Sequence, residues 1–283
     1  MTAQQMNLNL DSVHVLVTGA SGGIGLSTTR LFLGQGANVT AHYNTNDTTL
    51  APLLAEYGPT RVRAAQASLE REDDVARLFE HADSFGFDAV QVLVVNHGYY
   101  PPEHAPLAHM SLAQWEATFA TNVTSSFLVV RAYLQRLERA SEEEKARAAI
   151  VLIGSTAGKY GEAGHADYAA TKSAMMYGLT LSLKNEIVKI APKGRVNCVA
   201  PGWTKTPVAA EALQNPDFVY RVLARHVSTI CGRLHPYPPT SEDVANQVVI
   251  LSSSAVSGHV TGQILMVEGG MEGRLLNMPG DLA

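Results

Sequence analysis

The chain has 283 residues, of which 46% are hydrophobic and 17% charged, with a formal net charge of -5 and two cysteines, Cys198 and Cys231. That is the composition of a globular protein with a sizeable core, and length alone leaves one large domain or two small ones open. The charge gives no reason to expect a nucleic acid or an anionic membrane as partner, and neither a disulfide framework nor a metal-ligand spacing is present.

No stretch is long and apolar enough to span a bilayer, and residues 1–12 lack the apolar run of a signal peptide. A cytoplasmic protein is therefore expected. Asn38 and Asn122 each open an Asn-x-Thr triplet, which without a secretory signal reads as a chance match.

Residues 13–17 form a β-branched run that predicts a strand. Thr18, Gly19, Ser21, Gly23, Ile24 and Gly25 follow, and then a helical pattern through Leu26, Leu31 and Phe32 that stops at Gly34 and Gly36. A second strand is predicted over 37–43. The glycines thus sit between strand and helix of a βαβ unit, where they permit a tight turn and a close approach by a pyrophosphate. The helix N-terminus behind them offers free N–H groups and the positive end of its dipole. The spacing is Gly-x-x-x-Gly-x-Gly, and a glycine turn without a ligand is the alternative.

The alternation continues with a helix at 48–57, a strand at 61–67, a helix at 72–85 and a strand at 89–95. Acidic Glu72, Asp73 and Asp74 open the third helix and suit its dipole. Such alternation predicts a parallel, doubly wound sheet, and the almost uninterrupted apolar strands suit burial on both faces. Asn96, His97 and Gly98 end the fourth strand, and 99–110, rich in Pro and His, reads as loop. Ser111 caps a helix through Trp115 and Phe119. Asn122 lies between that stretch and a helix at 127–137; an Asn in a helix is a mild liability, and one that bends it can hold a water. Residues 140–147 read as an exposed connection.

A buried strand is predicted over 149–153, with Ser155 at its carboxyl end, where open α/β sheets place ligands. A helix from 164–167 to about 190 carries Tyr168 and Lys172 four residues apart, on one face. An ammonium beside a phenol favours the phenolate, drawing a tyrosine of ordinary pKa ~10 toward the operating pH, where it can give or take a proton. Tyr-x-x-x-Lys alone is also common on solvated helix faces. A strand over 194–200, with Cys198 as a small core residue, breaks at Pro201, Gly202, Trp203, Thr204, Lys205 and Thr206. The insertion at 207–239 suits a lid over a binding site. A helix at 241–251, capped by Thr240 or Ser241, and a strand at 263–267 complete the pattern.

These segments together resemble the short-chain dehydrogenase/reductase family over about residues 13–270. The resemblance rests on Thr18-Gly19-x-x-x-Gly23-x-Gly25, Asn96-x-Gly98, Asn122, Ser155, Tyr168-x-x-x-Lys172 and Pro201-Gly202-x-x-x-Thr206, in the family's order. Ser155 stands thirteen residues before Tyr168, the family's usual spacing. It implies an α/β, single-domain Rossmann fold: a seven-stranded parallel sheet, helices on both faces and a substrate lid near 203–240. It implies hydride transfer between a nicotinamide cofactor and a small-molecule carbonyl or alcohol. In the implied roles Tyr168 donates the proton, Lys172 holds the nicotinamide ribose and lowers the pKa of Tyr168, Ser155 binds the substrate oxygen, and Asn122 anchors a water linking Lys172 to solvent. Cofactor contacts are implied at Gly19, Ser21, Gly23, Ile24, Gly25, Tyr43, Asn44, Thr45, Ser68, Leu69, Asn96 and Gly98. Pro201, Gly202, Thr204, Thr206, Tyr168 and Lys172 complete that set. A homodimer or homotetramer is implied as well.

The chain departs from the family pattern at His97, at Ser68, where an acid is common, and in the lengthened segment from Gly232 to Pro239. At the end of the second strand Tyr43, Asn44, Thr45 and Asn46 offer no acid to bind the adenosine ribose hydroxyls. The expected cofactor is therefore NADP, with NAD as the alternative, since no Arg or Lys stands there either. His97, Tyr160, His165 and Trp203 fall where the family builds its substrate pocket, but each suits packing equally. A non-catalytic dinucleotide-binding regulator of the same fold is the competing reading, and a dehydratase or epimerase a third.

Overall fold

The computed structural model describes residues 7–206, 214 and 239–271. Among them, seven strands form one sheet in the order β3-β2-β1-β4-β5-β6-β7, every pair parallel. They are β1 His14–Val17, β2 Asn38–Tyr43, β3 Val62–Gln66, β4 Val92–Val95, β5 Ala149–Ile153, β6 Arg195–Pro201 and β7 Ile264–Val267. The chain builds outward from β1 to β3, then returns to lay β4 on the other flank of β1. The carboxyl ends of β1 and β4 therefore border the crevice where the strand order reverses, the usual ligand site of such sheets.

Strand periodicity splits the core into two layers. Val15 and Val17 join Phe32, Val94, Val151 and Val248 on one face. Leu16 joins Phe79, Leu93, Tyr133 and Ile150 on the other. Helices Gly23–Gly34 and Ser241–Ser252 cover the first face, and Glu72–Ser84, Ser125–Leu137 and Thr180–Ile190 the second. Burial on both faces is why β4 and β5 read as apolar runs without alternation. No described helix is long and apolar enough to cross a membrane.

Four elements differ from expectation. The helices through Asn122 and after Lys172 are each interrupted by a π-helical segment, Ala120–Thr124 and Ala174–Leu179. In the first, buried Asn122 points its side chain across to Tyr99 and Thr171. Ser126 returns a hydroxyl to the Asn122 carbonyl at 2.6 Å, so the widened turn leaves that acceptor satisfied. The connection at 140–147 holds a one-turn helix, Glu142–Lys145, closed by a Ser141–Glu144 capping box. Glu144 also accepts from the Ala89 amide at 2.9 Å, which ties the turn to the segment leading into β4. A five-residue helix, Thr156–Tyr160, follows β5 and ends at Gly161, whose φ of 75° stops it.

Arg195, at the start of β6, is buried, and its guanidinium donates to the carbonyls of Leu251 and Ser252 at the end of helix Ser241–Ser252. A cation on those orphan carbonyls stabilises the helix end and fills its last acceptors. Arg195→Met is expected to lower stability by about 2–3 kcal/mol, read as a lower urea midpoint at unchanged slope.

Candidate active site

The turn after β1 is laced to the end of β4. Asn96 Nδ2 donates to the carbonyls of Thr18 and Gly19, both at 3.0 Å, and its own amide donates to Thr18 Oγ1 at 2.9 Å. Gly19 has φ 62°, a left-handed conformation that favours glycine. A Cβ on Gly25 would lie 2.2 Å from the Gly19 carbonyl oxygen and 2.6 Å from Asn96 Nδ2. Gly25→Ala is therefore expected to force this turn open and to weaken dinucleotide binding at least tenfold, measured by fluorescence titration; unchanged binding would refute the cradle. The helix behind the turn starts at Gly22 with no side-chain cap and no acidic residue in its first turn. A narrow glycine cradle and an uncapped helix N-terminus fit a pyrophosphate.

His42, which the strand pattern alone did not flag, supports the same turn. Its Nδ1 accepts from the Gly19 amide at 3.0 Å, so Nε2 carries the proton and donates to the Ala67 carbonyl at 3.0 Å. Burial holds this imidazole neutral, its pKa pushed down to about 4. The signal was its parity with Thr40: both face away from the layer that holds Val39 and Ala41. The same parity corrects Tyr43. Its side chain packs against the Val39 layer and does not line the cleft, whereas Asn44, Thr45 and Asn46 do.

The cleft at the carboxyl ends of the strands measures about 1410 Å³. Ser21, Gly23, Ile24, Ser68 and Leu69 line it on one side of β4. Across it stand Ser155, Tyr168, Lys172, Pro201, Gly202, Thr204 and Thr206. Ser155 caps helix Thr156–Tyr160, accepting from Ala157 N at 3.1 Å, and its hydroxyl hydrogen-bonds the Tyr168 phenol. Lys172 Nζ donates to the Ile153 carbonyl at 2.9 Å and lies 5.8 Å from the centre of the Tyr168 ring. A Cβ on Gly98 would sit 3.3 Å from that ammonium and 3.5 Å from Asn122 Oδ1. Asn122 itself holds Tyr99 by both backbone groups, at 2.6 and 2.9 Å.

The electrostatics correct one expectation. Tyr168 is not drawn below its ordinary range. Burial pushes it up to about 12, opposed by the Ser155 hydrogen bond and reinforced by the charge of Glu162. The ammonium is committed to a backbone carbonyl, and its own pKa falls to about 8, chiefly through burial.

A family model for short chain dehydrogenases matches residues 13–217. The chain is 32% identical over 256 residues to nodulation protein G of Rhizobium sp. (strain N33), covering 90% of this chain and 95% of that one. It is 30% identical to a 3-oxoacyl-[acyl-carrier-protein] reductase of Synechocystis sp. over 90% of this chain and 95% of the relative. Among solved structures, a 7α-hydroxysteroid dehydrogenase complexed with NADH and 7-oxo glycochenodeoxycholic acid superimposes with a TM-score of 0.79 at 25% identity, over 95% of this chain and 98% of that one. The chain belongs to the short-chain dehydrogenase family. It is an oxidoreductase of a family that binds a nicotinamide dinucleotide.

In this short-chain dehydrogenase the residues expected at the substrate end separate. Trp203 lines the cleft and meets Tyr100 edge-on at 5.7 Å. His97 also lines it, but its ring nitrogens are engaged by Thr18 Oγ1 and Ser125 Oγ, both at 2.8 Å, so it braces the glycine turn against helix Ser125–Leu137. His165 is buried behind Tyr100, ring centroids 4.5 Å apart, and Tyr160 turns away to donate to the Met271 carbonyl at 2.7 Å. Neither lines the cleft among the described residues. Of the expected lid, residues 207–213 and 215–238 lie outside the described residues, and with them Cys231 and all but the last residue of the segment from Gly232 to Pro239.

Proposed function

We propose that the protein is an NADP(H)-dependent oxidoreductase that interconverts a carbonyl compound and its alcohol, with Tyr168 as general acid and base. The observation that carries this reading is the convergence of Tyr168, Ser155 and Lys172 in the cleft that also holds the glycine cradle. The bound dinucleotide supplies or accepts the hydride. The chain's own groups handle protons and placement. In reduction the Ser155 hydroxyl holds the substrate oxygen, and the Tyr168 phenol donates its proton to it. The buried Lys172 ammonium, beside Gly98, would stabilise the phenolate left behind and would hold the nicotinamide ribose of a bound dinucleotide. Asn122, by fixing Tyr99, keeps the loop after β4 clear of that ammonium; a water held there would relay protons to solvent.

For the cofactor, Asn44, Thr45 and Asn46 line the cleft and place no carboxylate where a 2′-phosphate would sit. Ser21, Gly23, Ile24, Ser68, Leu69, Pro201, Gly202, Thr204 and Thr206 are the further contacts of this reading. It takes residues 1–283 as one dinucleotide-binding domain with its core at about 13–270, in a cytoplasmic homodimer or homotetramer; elution as a monomer at micromolar concentration would refute the assembly. The test of the cofactor assignment is a titration with NADPH and then NADH, followed by cofactor fluorescence. NADPH is expected to bind at least tenfold more tightly. Preference for NADH would overturn the assignment and leave the enzyme class standing; binding of neither would favour a structural role for the glycine turn.

A further inference from the structure

The helix that carries Tyr168 has a second polar side, which the proton-transfer chemistry does not use. Asp167 and Thr171, four residues apart in helix Ala166–Ser173, share that side, and both are fully buried. Opposite them lie Gln114 and Thr118 of helix Leu112–Phe119 and Asn122 of the π-helical segment that continues it, again at intervals of four. Asp167 Oδ2 accepts from Thr118 Oγ1 at 2.8 Å and from Gln114 Nε2 at 3.1 Å. One turn further on, Asn122 Nδ2 donates to Thr171 Oγ1 at 3.1 Å. Thr171 has a single hydroxyl proton, and it goes to the Tyr168 carbonyl at 2.7 Å. The oxygen of Thr171 is thereby left as an acceptor, which matches the N–H that Asn122 offers.

Successive residues of an α-helix are turned by about 100°, so this side stands about 100° from the one that carries Tyr168 and Lys172. Its hydrogen bonds therefore set the rotation and the axial position of the helix, and with them the direction in which phenol and ammonium enter the cleft. Buried directional bonds do this where apolar packing alone would not, because a slip leaves donors and acceptors unpaired. Thr171 is the contact nearest the chemistry. It joins the Tyr168 carbonyl to Asn122, whose side chain also holds both backbone groups of Tyr99. Gly98 lies against the far ends of the same arrangement, its built Cβ 3.3 Å from Lys172 Nζ and 3.5 Å from Asn122 Oδ1. We propose that Thr171 is a positioning residue for the reaction, holding the catalytic helix in register with Asn122 so that Tyr168 and Lys172 meet substrate and dinucleotide. The proposal rests on the carbonyl–alcohol reading above.

The test pairs Thr171→Val, which keeps the shape and removes the hydroxyl, with Thr171→Ser, which keeps the hydroxyl. Reduction of cyclohexanone and of ethyl acetoacetate by NADPH is followed in each. A misplacement of about 1 Å can cost about 100-fold in rate, so Thr171→Val is expected to lose at least about tenfold in kcat. Its KM for NADPH should stay within about twofold, and Thr171→Ser should regain most of the rate. A role in folding alone would lower the urea midpoint of Thr171→Val and leave kcat of the folded protein unchanged. An unchanged kcat in Thr171→Val, or a serine variant as slow as the valine one, overturns the proposal. If Thr171→Val does not fold, Thr171→Ala takes the same test, since its smaller side chain leaves room for a water on Asn122 Nδ2. If the wild type reduces neither ketone, the carbonyl–alcohol reading fails by itself. The NMR resonance of the Tyr168 ring in tyrosine-labelled protein, assigned with Tyr168→Phe, then decides this one. Displacement of that resonance in Thr171→Val and its return in Thr171→Ser sustain the proposal; a resonance unmoved in both overturns it.

Discussion

Tyr168→Phe is expected to bind the dinucleotide as the wild type does and to lose about three orders of magnitude in kcat. The ring is kept, so its edge contact with Tyr100 at 4.9 Å and the 5.8 Å approach of Lys172 survive. Only the hydroxyl goes, and with it the partner of the Ser155 hydroxyl. Ser155 then cannot replace it as an acid, since its unassisted hydroxyl is far too weak a proton donor. Loss confined to kcat, with the dinucleotide titration unchanged, identifies an interaction made in the transition state. Turnover within about tenfold of the wild type would remove Tyr168 from proton transfer and direct attention to another acid in the cleft.

Stability should fall steeply with acid, by roughly 5 kcal/mol between pH 6.5 and 4 from two buried histidines alone. His14 and His42 both have their pKa lowered from 6.5 to about 4, first by burial. Each is locked neutral by its partners. His14 Nδ1 donates to the Asp88 carbonyl at 2.6 Å, so its Nε2 accepts from Thr40 at 2.8 Å. His42 accepts from Gly19 and donates to Ala67 in the same way. Above pH 6.5 both states are neutral and nothing is lost. As pH falls toward 4, the unfolded chain takes up two protons that the folded one refuses, so unfolding is favoured. Against a total stability of about 5–15 kcal/mol the loss is large. Urea midpoints from pH 7 to 4.5 measure it. His42→Gln, whose amide can also accept from Gly19, should remove about half of the slope; a slope unchanged in that variant would clear His42 of the effect.

Much of this site could be read from residue order because its parts are local. The glycine turn, Ser155 and the Tyr168–Lys172 pair each owe their geometry to a few neighbouring residues: a tight turn, a strand end, one helical turn. Strands β4 and β5 were found because both of their faces are covered, so each is an apolar run whatever its neighbours. Tyr43 was misplaced by one register step, since the last residue of a strand belongs to one face or the other: His42 and Asn44 line the cleft and Tyr43 does not. His165 and Tyr160 were expected where the family builds its substrate pocket, yet the turn at Gly161 and the loop carrying Tyr100 put them behind the wall.

The order of residues by itself determined the parallel doubly wound sheet, the glycine cradle and the spacing of hydroxyl, phenol and ammonium, because these follow from periodicity and short-range sterics. Only the tertiary structure decided what those groups experience. Burial dominates Tyr168 and holds it up to about 12, with the charge of Glu162 adding to the rise. His42 supports Gly19 across 23 residues of chain, and Glu162 meets Tyr100 across 62. Contacts of that span depend on where the sheet and its loops come together, which no local pattern encodes.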